Sequence, residues 1–141
     1  MIVCLDTNTL VQGRNPRHRF FPILEAVVDG RLNWAVSNRI LTEYQEVICR
    51  SSGPESWTQL VRLMELLEMT TNNLVRVSPQ FQFNVISTDP DDNAFTDCAI
   101  SVNADYVITE DAHFAPLANT GYRPQPITPT AFIAHYTGSL F

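Results

Sequence analysis

The sequence predicts an α/β fold: an α/β/α sandwich around a mostly parallel central sheet. Two observations predict it. Short apolar runs alternate with longer segments of helical period. Acidic residues then follow two of those runs closely, where the strands of a parallel sheet end and ligands bind. At 141 residues the chain is long enough for one domain with its own core. Residues 1–141 are read as a single domain, without internal repeat, low-complexity tract or linker.

The elements follow in order. Ile2-Val3-Cys4-Leu5 reads as a buried strand. Asn15-Pro16 opens a helix carrying Phe20, Ile23, Leu24, Val27 and Val28, and Asp29-Gly30 closes it, since glycine suits the left-handed position after a helix. Asn33-Trp34-Ala35-Val36 is a second strand. Ser37 is placed to cap a helix with Ile40, Leu41, Tyr44, Val47 and Ile48 on one face. Ser51-Ser52-Gly53-Pro54 breaks that pattern, and a third helix buries Trp57, Leu60, Val61, Met64 and Leu67, with Leu66 at its margin. Residues 74–77 fit another strand. Phe81, Phe83 and Val85 alternate, but Pro79 and the polar residues make 78–89 a loop or an edge segment. Asp89-Pro90 starts a helix, with Asp as cap and Pro at the first helical position, running to about Asn103. Tyr106-Val107-Ile108 is the next strand, and Asp111 is placed to cap a short helix near Pro116. Thr128-Pro129 opens a final helix through Phe132, Ile133 and Tyr136, stopped by Gly138.

Composition narrows the function. No apolar run is long enough to span a membrane, and the N-terminus enters a strand with no signal-like segment, so a cytoplasmic protein is expected. Cys4, Cys49 and Cys98 lie in apolar contexts without a CxxC pair, which points to buried thiols rather than zinc or disulfides. The net charge of −6 argues against gripping nucleic acid by overall charge; it leaves a nuclease open, because bound cations offset clustered acids. All nine cationic residues are arginine. Without lysine there is no P-loop and no Schiff-base chemistry.

The acids carry the chemistry. Asp6 directly follows four apolar residues, and Asp111 follows Tyr106-Val107-Ile108 by three residues. Each alone reads equally as a turn or cap residue; the two together mark a crevice. Glu43 sits at the flank of the apolar face of its helix. At 100° per residue, Asp91 and Asp92 share the face of Phe95, Cys98 and Ala99, while Asp97 points to solvent. Helix-dipole stabilisation would explain two acids in a first turn equally well, and the spacing does not choose between Asp91 and Asp92. Close carboxylates repel and lose hydration, so the set calls for a divalent cation and for phosphodiester chemistry. His113, beside Asp111, is read as an ordinary loop histidine before a ligand. Arg14, Arg17, Arg19 and Arg39 are candidate phosphate contacts or plain surface charges. Neither Ser37 nor Ser87 sits in a nucleophile-elbow pattern.

Four segments in order resemble the PIN-domain family of metal-dependent ribonucleases. They are Ile2 through Leu10, Ser37 through Tyr44, Asp89-Pro90-Asp91-Asp92-Asn93 through Ala99, and Asp105 through Asp111. The DPDDN-type segment is most similar to the subgroup of toxin components of toxin–antitoxin systems. The resemblance implies that Asp6, Glu43, Asp92 and Asp111 are the catalytic and metal-ligating acids, holding one or two Mg²⁺ or Mn²⁺ ions. It places supporting roles at Asn8 and Thr109, and makes Asp97 a position often acidic in the subgroup. It also implies an RNA substrate and a small antitoxin partner; a homodimer is compatible with it. The chain departs from the family in lacking the lysine common after the last aspartate. The alternatives are an inert PIN-like module that binds RNA or protein, a receiver-like domain, which would need a lysine, and a haloacid-dehalogenase-type phosphatase, which would need a second aspartate at Asn8.

Overall fold

The computed structural model describes residues 1–136. Five strands form one sheet in the order β3-β2-β1-β4-β5, and every neighbouring pair is parallel. They are β1 (Ile2–Leu5), β2 (Asn33–Val36), β3 (Leu74–Arg76), β4 (Tyr106–Ile108) and β5 (Gln125–Ile127). The expected parallel α/β architecture is therefore the observed one. From β1 the chain steps to β2 and β3 on one side, then returns to β4 and β5 on the other. Right-handed crossovers in opposite directions lie on opposite faces of the sheet, and the crevice opens beside β1 where the direction reverses.

Among the described residues six α-helices accompany the strands: α1 (Thr7–Gly13), α2 (Phe21–Val28), α3 (Asn38–Ser52), α4 (Pro54–Met69), α5 (Asn93–Ser101) and α6 (Pro129–Tyr136). Single-strand apolarity is explained by burial on both faces: Val3, Cys4, Trp34, Ala35, Val36, Val107 and Ile108 are fully buried. Phe95, Phe114 and Phe132 fill the space between helices and sheet, each contributing about 1.5–3 kcal/mol by leaving water. Ser37 caps α3 through its hydroxyl, which accepts from the Ile40 amide at 3.3 Å. Gly30 ends α2 with φ +75°, where a Cβ would lie 3.0 Å from the Thr71 side chain.

Several expectations need correction. The helix expected from Asn15 begins only at Phe21, after a loop at 14–20, and an unexpected helix, Thr7–Gly13, precedes that loop. Asp6 caps the unexpected α1 by accepting from the Thr7 amide at 2.7 Å. That helix is too short and too polar to show a stripe. Asn15 instead makes a local turn, accepting from the Arg17 amide at 3.0 Å. The β5 strand escaped notice because Pro126 sits inside it. As an edge strand it needs no amide on its outer side. Segment 78–89 forms no strand. Leu66 is exposed and Cys49 is only half buried. The stop at Gly138 lies outside the described residues.

Candidate active site

The site begins where β1 and β4 end side by side. Leu5 pairs with Ile108, and the ladder runs one step further, the Asp6 amide donating to the Ile108 carbonyl at 3.1 Å. This brings Asp6 next to Thr109. The Thr109 hydroxyl donates to Asp6 Oδ2 at 2.7 Å and accepts from the Asp111 amide at 2.9 Å. One buried hydroxyl thus fixes two acids. Burial pushes the Asp6 carboxyl above its ordinary range; the bonds from Thr109 and Thr7 oppose that, and the charges of Asp111 and Asp89 add to it. Asp111 is more open, and its Oδ1 accepts from the His113 amide at 2.9 Å, capping the 3₁₀ helix Ala112–Asn119.

The third acid comes from the start of α5. A helix returning toward a parallel strand begins at the carboxyl edge of the sheet, so Asp89 through Asn93 face the ends of β1 and β4. Asp89 caps a single 3₁₀ turn, Pro90–Asp92, and this turn resolves the ambiguity between the two neighbours. Its 120° step does not follow the 100° wheel, and it leaves Asp91 exposed while turning Asp92 inward. The Asp92 side chain is 15% exposed, and its Oδ2 is buried with no hydrogen-bond partner. Desolvation first, then repulsion from Asp89, Asp6 and Asp111, pushes its pKa up to about 7, with His113 opposing. His113 Nδ1 stands 3.7 Å from Asp92 Oδ2 and 3.4 Å from Asp111 Oδ1. Asp89, Asp92 and His113 each bring a donor atom within 4.8 Å of the others. Sequence reasoning missed Asp89 as a site residue and undervalued His113. The signal for the first was its cap position beside Asp92, and for the second its place two residues after Asp111.

Glu43 approaches from α3 and is half buried. Burial raises its carboxyl, followed by the charges of Glu46, Asp91, Asp6 and Asp89. It lines a cleft with Arg39, Thr42, Glu46, Asp91 and Ala94. Asn8 is exposed in a second cleft with Asp6, Thr9, Gln12, Glu110 and Asp111. Asp97 is the clearest correction. Expected to face solvent, it is 2% exposed. Segment 78–89 packs over that face of α5, and Asp97 accepts from the Phe83 amide at 3.0 Å and from Arg39 Nη1 at 3.3 Å. Asn93, also missed, clamps the same segment, its amide bonding both the nitrogen and the carbonyl of Ile86.

The arrangement suits a hard divalent cation. The donors are carboxylate oxygens with one imidazole nearby, which is the chemistry of Mg²⁺ or Mn²⁺. An orphaned, buried carboxylate oxygen whose proton is held up to about pH 7 is what a missing positive charge leaves behind.

Comparisons with known proteins bear on the family and the fold. The sequence profile of the PIN domain matches residues 2–113. No curated protein is significantly similar in sequence. Among solved structures, a chain from VapBC2 of Rickettsia felis, bound to a DNA fragment from their promoter, superposes with a TM-score of 0.57. It is 18% identical, and the match covers 89% of this chain and 98% of that one. At that identity the likeness shows the shared fold.

Proposed function

Because this chain belongs to the PIN-domain family, we propose that it is a metal-dependent endoribonuclease hydrolysing RNA phosphodiester bonds. The observation that supports this best is Asp92, whose Oδ2 is buried without a hydrogen-bond partner, whose carboxyl is pushed up by burial and by Asp89, Asp6 and Asp111, and which groups with Asp89 and His113. Asp6, Glu43, Asp92 and Asp111 would hold one or two Mg²⁺ or Mn²⁺ ions, with Asp89 and His113 at the rim. When bound, the metal supplies positive charge to the phosphate and an acidified water.

The chain's own residues prepare that chemistry. Thr109 keeps Asp6 aimed and ties it to Asp111, so a shift of one moves the other. Asp92 would have to give up its proton to hold a cation, so metal affinity would rise with pH. His113 offers Nδ1 between Asp92 and Asp111 and steadies both carboxylates when protonated.

The biological role proposed is the toxin half of a toxin–antitoxin pair, acting in the cytoplasm and held inactive by a small antitoxin protein. The DPDDN-type segment supports this placement, and a fold shared with a chain of VapBC2 is compatible with it. The test is cleavage of single-stranded RNA by the purified protein with Mn²⁺, with Mg²⁺ and with a chelator. Metal-dependent cleavage that disappears in Asp92→Asn is the expected result. RNA binding without cleavage under any metal would make the chain a PIN-like binding module instead.

A further inference from the structure

We propose that the groove along the exposed side of α1 is the track of the RNA strand on one side of the cleaved phosphate, with Arg17 and Arg19 gripping its phosphates. This rests on the nuclease function proposed above and adds a cationic grip and a direction to it.

An acidic site on a chain of net charge −6 repels a polyanion, so the strand needs positive charge close by. Most of the arginines cannot supply it. Arg31, Arg39, Arg76 and Arg123 pair with Asp29, Asp97, Glu68 and Asp105. Among the described residues no ion pair holds Arg14, Arg17, Arg19, Arg50 or Arg62. Three of these five fall in the loop at 14–20. Arg14 turns away, lying in a groove with Leu24, Leu60 and Leu63. Arg17 and Arg19 are left, both exposed.

The loop is built to hold them. The Arg17 amide donates to Asn15 Oδ1 at 3.0 Å, and the Phe20 amide donates to His18 Nδ1 at 3.1 Å. Phe20 is buried, and the Arg19 guanidinium sits 5.0 Å from the centre of its ring. These bonds fix the backbone of the loop, and the contact with Phe20 holds the Arg19 guanidinium; a guanidinium held in place loses less entropy on meeting phosphate and binds it in bidentate fashion.

Helix α1 leads from the acids to this loop, and Arg19 lies in a neighbouring cleft with Phe20, Thr130 and Ile133. Asp6 begins α1, and the helix rises about 10 Å before the loop starts. Along it, Asn8 and Gln12 stand one turn apart on the same exposed face, lining the groove that starts at Asp6 and Asp111. Their amides can donate to phosphate or to ribose hydroxyls. Glu110 forms the opposite wall, which presses the strand toward α1. The cleft at α3 carries Glu43, Glu46 and Asp91, and its arginine, Arg39, is already tied to Asp97. Among the described residues lining the two clefts, none offers an unpaired cation, which leaves the loop after α1 to supply it. No large exposed apolar side chain lies between residues 8 and 19, so the surface fits a polyanion better than a protein anchor.

The experiment compares wild type, the double variant Arg17→Gln/Arg19→Gln, its Lys/Lys counterpart and the control Arg62→Gln. Steady-state cleavage with Mn²⁺ and anisotropy of a labelled single-stranded RNA in chelator are read across a salt series, with circular dichroism confirming the fold. The Gln/Gln variant should raise KM about tenfold at unchanged kcat. It should flatten the slope of log affinity against log salt by about 0.7 per arginine. The Lys/Lys variant should keep the slope, and Arg62→Gln should match wild type. Shortening the RNA from one end alone should reproduce the KM effect. Wild-type KM and slope in the Gln/Gln variant would overturn the track while leaving the nuclease intact. Absence of cleavage in wild type would sink the nuclease function, and the anisotropy slopes would still decide the track. Displacement of the RNA by polyglutamate at equal charge would overturn it in favour of an acidic protein partner.

Discussion

Two aspartates at opposite ends of the central strands have opposite fates. Asp105 precedes β4 at the amino edge of the sheet. Its carboxylate accepts from the Ile2 amide at 2.9 Å and from Arg123 at 2.7 Å. Desolvation pulls its pKa up, but those donors and the nearby cations outweigh it and hold it below the usual range. Asp92 stands at the carboxyl edge with an oxygen that nothing satisfies, and its pKa goes up to about 7. The same side chain is a structural tie at one edge and an unresolved charge at the other. Both carboxyls lose hydration; donors and cations offset that at Asp105, while at Asp92 the neighbours are three further acids. A carboxyl raised in this way, in a cluster of acids, marks a functional site.

Exchange of both residues for asparagine should break this contrast most visibly. Asp92→Asn should lower RNA cleavage on the order of 100-fold or more, the scale expected when a ligand to a catalytic cation is lost, with the fold retained. The metal-free variant should melt higher than wild type, since like-charge repulsion is relieved. Asp105→Asn should do the reverse, keeping activity and losing about 1 kcal/mol, because half-exposed charge-assisted bonds are worth that little. Cleavage rates beside melting curves decide it. Full activity in Asp92→Asn would remove Asp92 from the site.

The next effect is smaller and tests the tie between acids. Thr109→Val keeps shape but deletes the hydroxyl that donates to Asp6 and accepts from Asp111. Loss of such an orienting partner typically costs about 10–100-fold in metal affinity or activity. The Mn²⁺ concentration giving half-maximal cleavage should rise accordingly. An unchanged metal dependence would mean that Asp6 needs no help in aiming.

Much of this was legible in residues and some was not. Asp6 and Asp111 announced themselves because a charge immediately beyond buried strand residues needs a reason. The strands β1, β2, β3 and β4 were visible as apolar runs, whereas β5 was hidden by a proline that only an edge position forgives. Asp97 defeated the helical wheel. The wheel assumes that the face opposite the sheet meets water, and here an irregular segment covers it. Asp91 and Asp92 defeated it for another reason, since their turn is 3₁₀ and steps differently. Asp89 and His113 carry no periodic signal; Asp89 meets Asp92 through the local turn that it caps, and His113 through tertiary packing.

Acidity separates the two edges in sign. Between the ordinary aspartate value of 3.8 and about 7, the folded protein holds a proton on Asp92 that the unfolded chain has released. Metal-free stability should therefore fall as pH rises through that window and level off above it. Asp105 acts the other way: its contribution is complete above 3.8 and fades as pH drops through its depressed value. Mn²⁺ must displace the Asp92 proton, so the metal-induced rise in Tm should grow as pH approaches and passes 7. Melting curves from pH 5 to 8, with and without Mn²⁺, check both directions. A metal shift independent of pH would mean that the cation binds away from Asp92, and Asp6→Asn should weaken the shift if it does not.

The smallest effects sharpen the boundary of the carboxyl-edge site. Asp91 is exposed in the 3₁₀ turn and faces Glu43 across the cleft. Asp91→Asn loses a favourable helix-terminus charge worth about 0.3–1 kcal/mol, while relieving repulsion on Glu43. The two nearly cancel, so stability should move by less than about 1 kcal/mol with cleavage retained. Asp97 is buried yet sits outside the acid cluster, bonded to the Phe83 amide and to Arg39. In Asp97→Asn the side-chain oxygen still accepts from Phe83, and what is lost is an ion pair to a largely exposed arginine, worth about 0–1 kcal/mol. Freed from Asp97, Arg39 gains charge beside Glu43, so RNA should bind slightly tighter on that side while kcat is unchanged. Purified Asp97→Asn assayed for KM and kcat against wild type measures this. A large fall in kcat at full stability would make Asp97 part of the metal-binding machinery and extend the unresolved-charge region one helical turn further down α5.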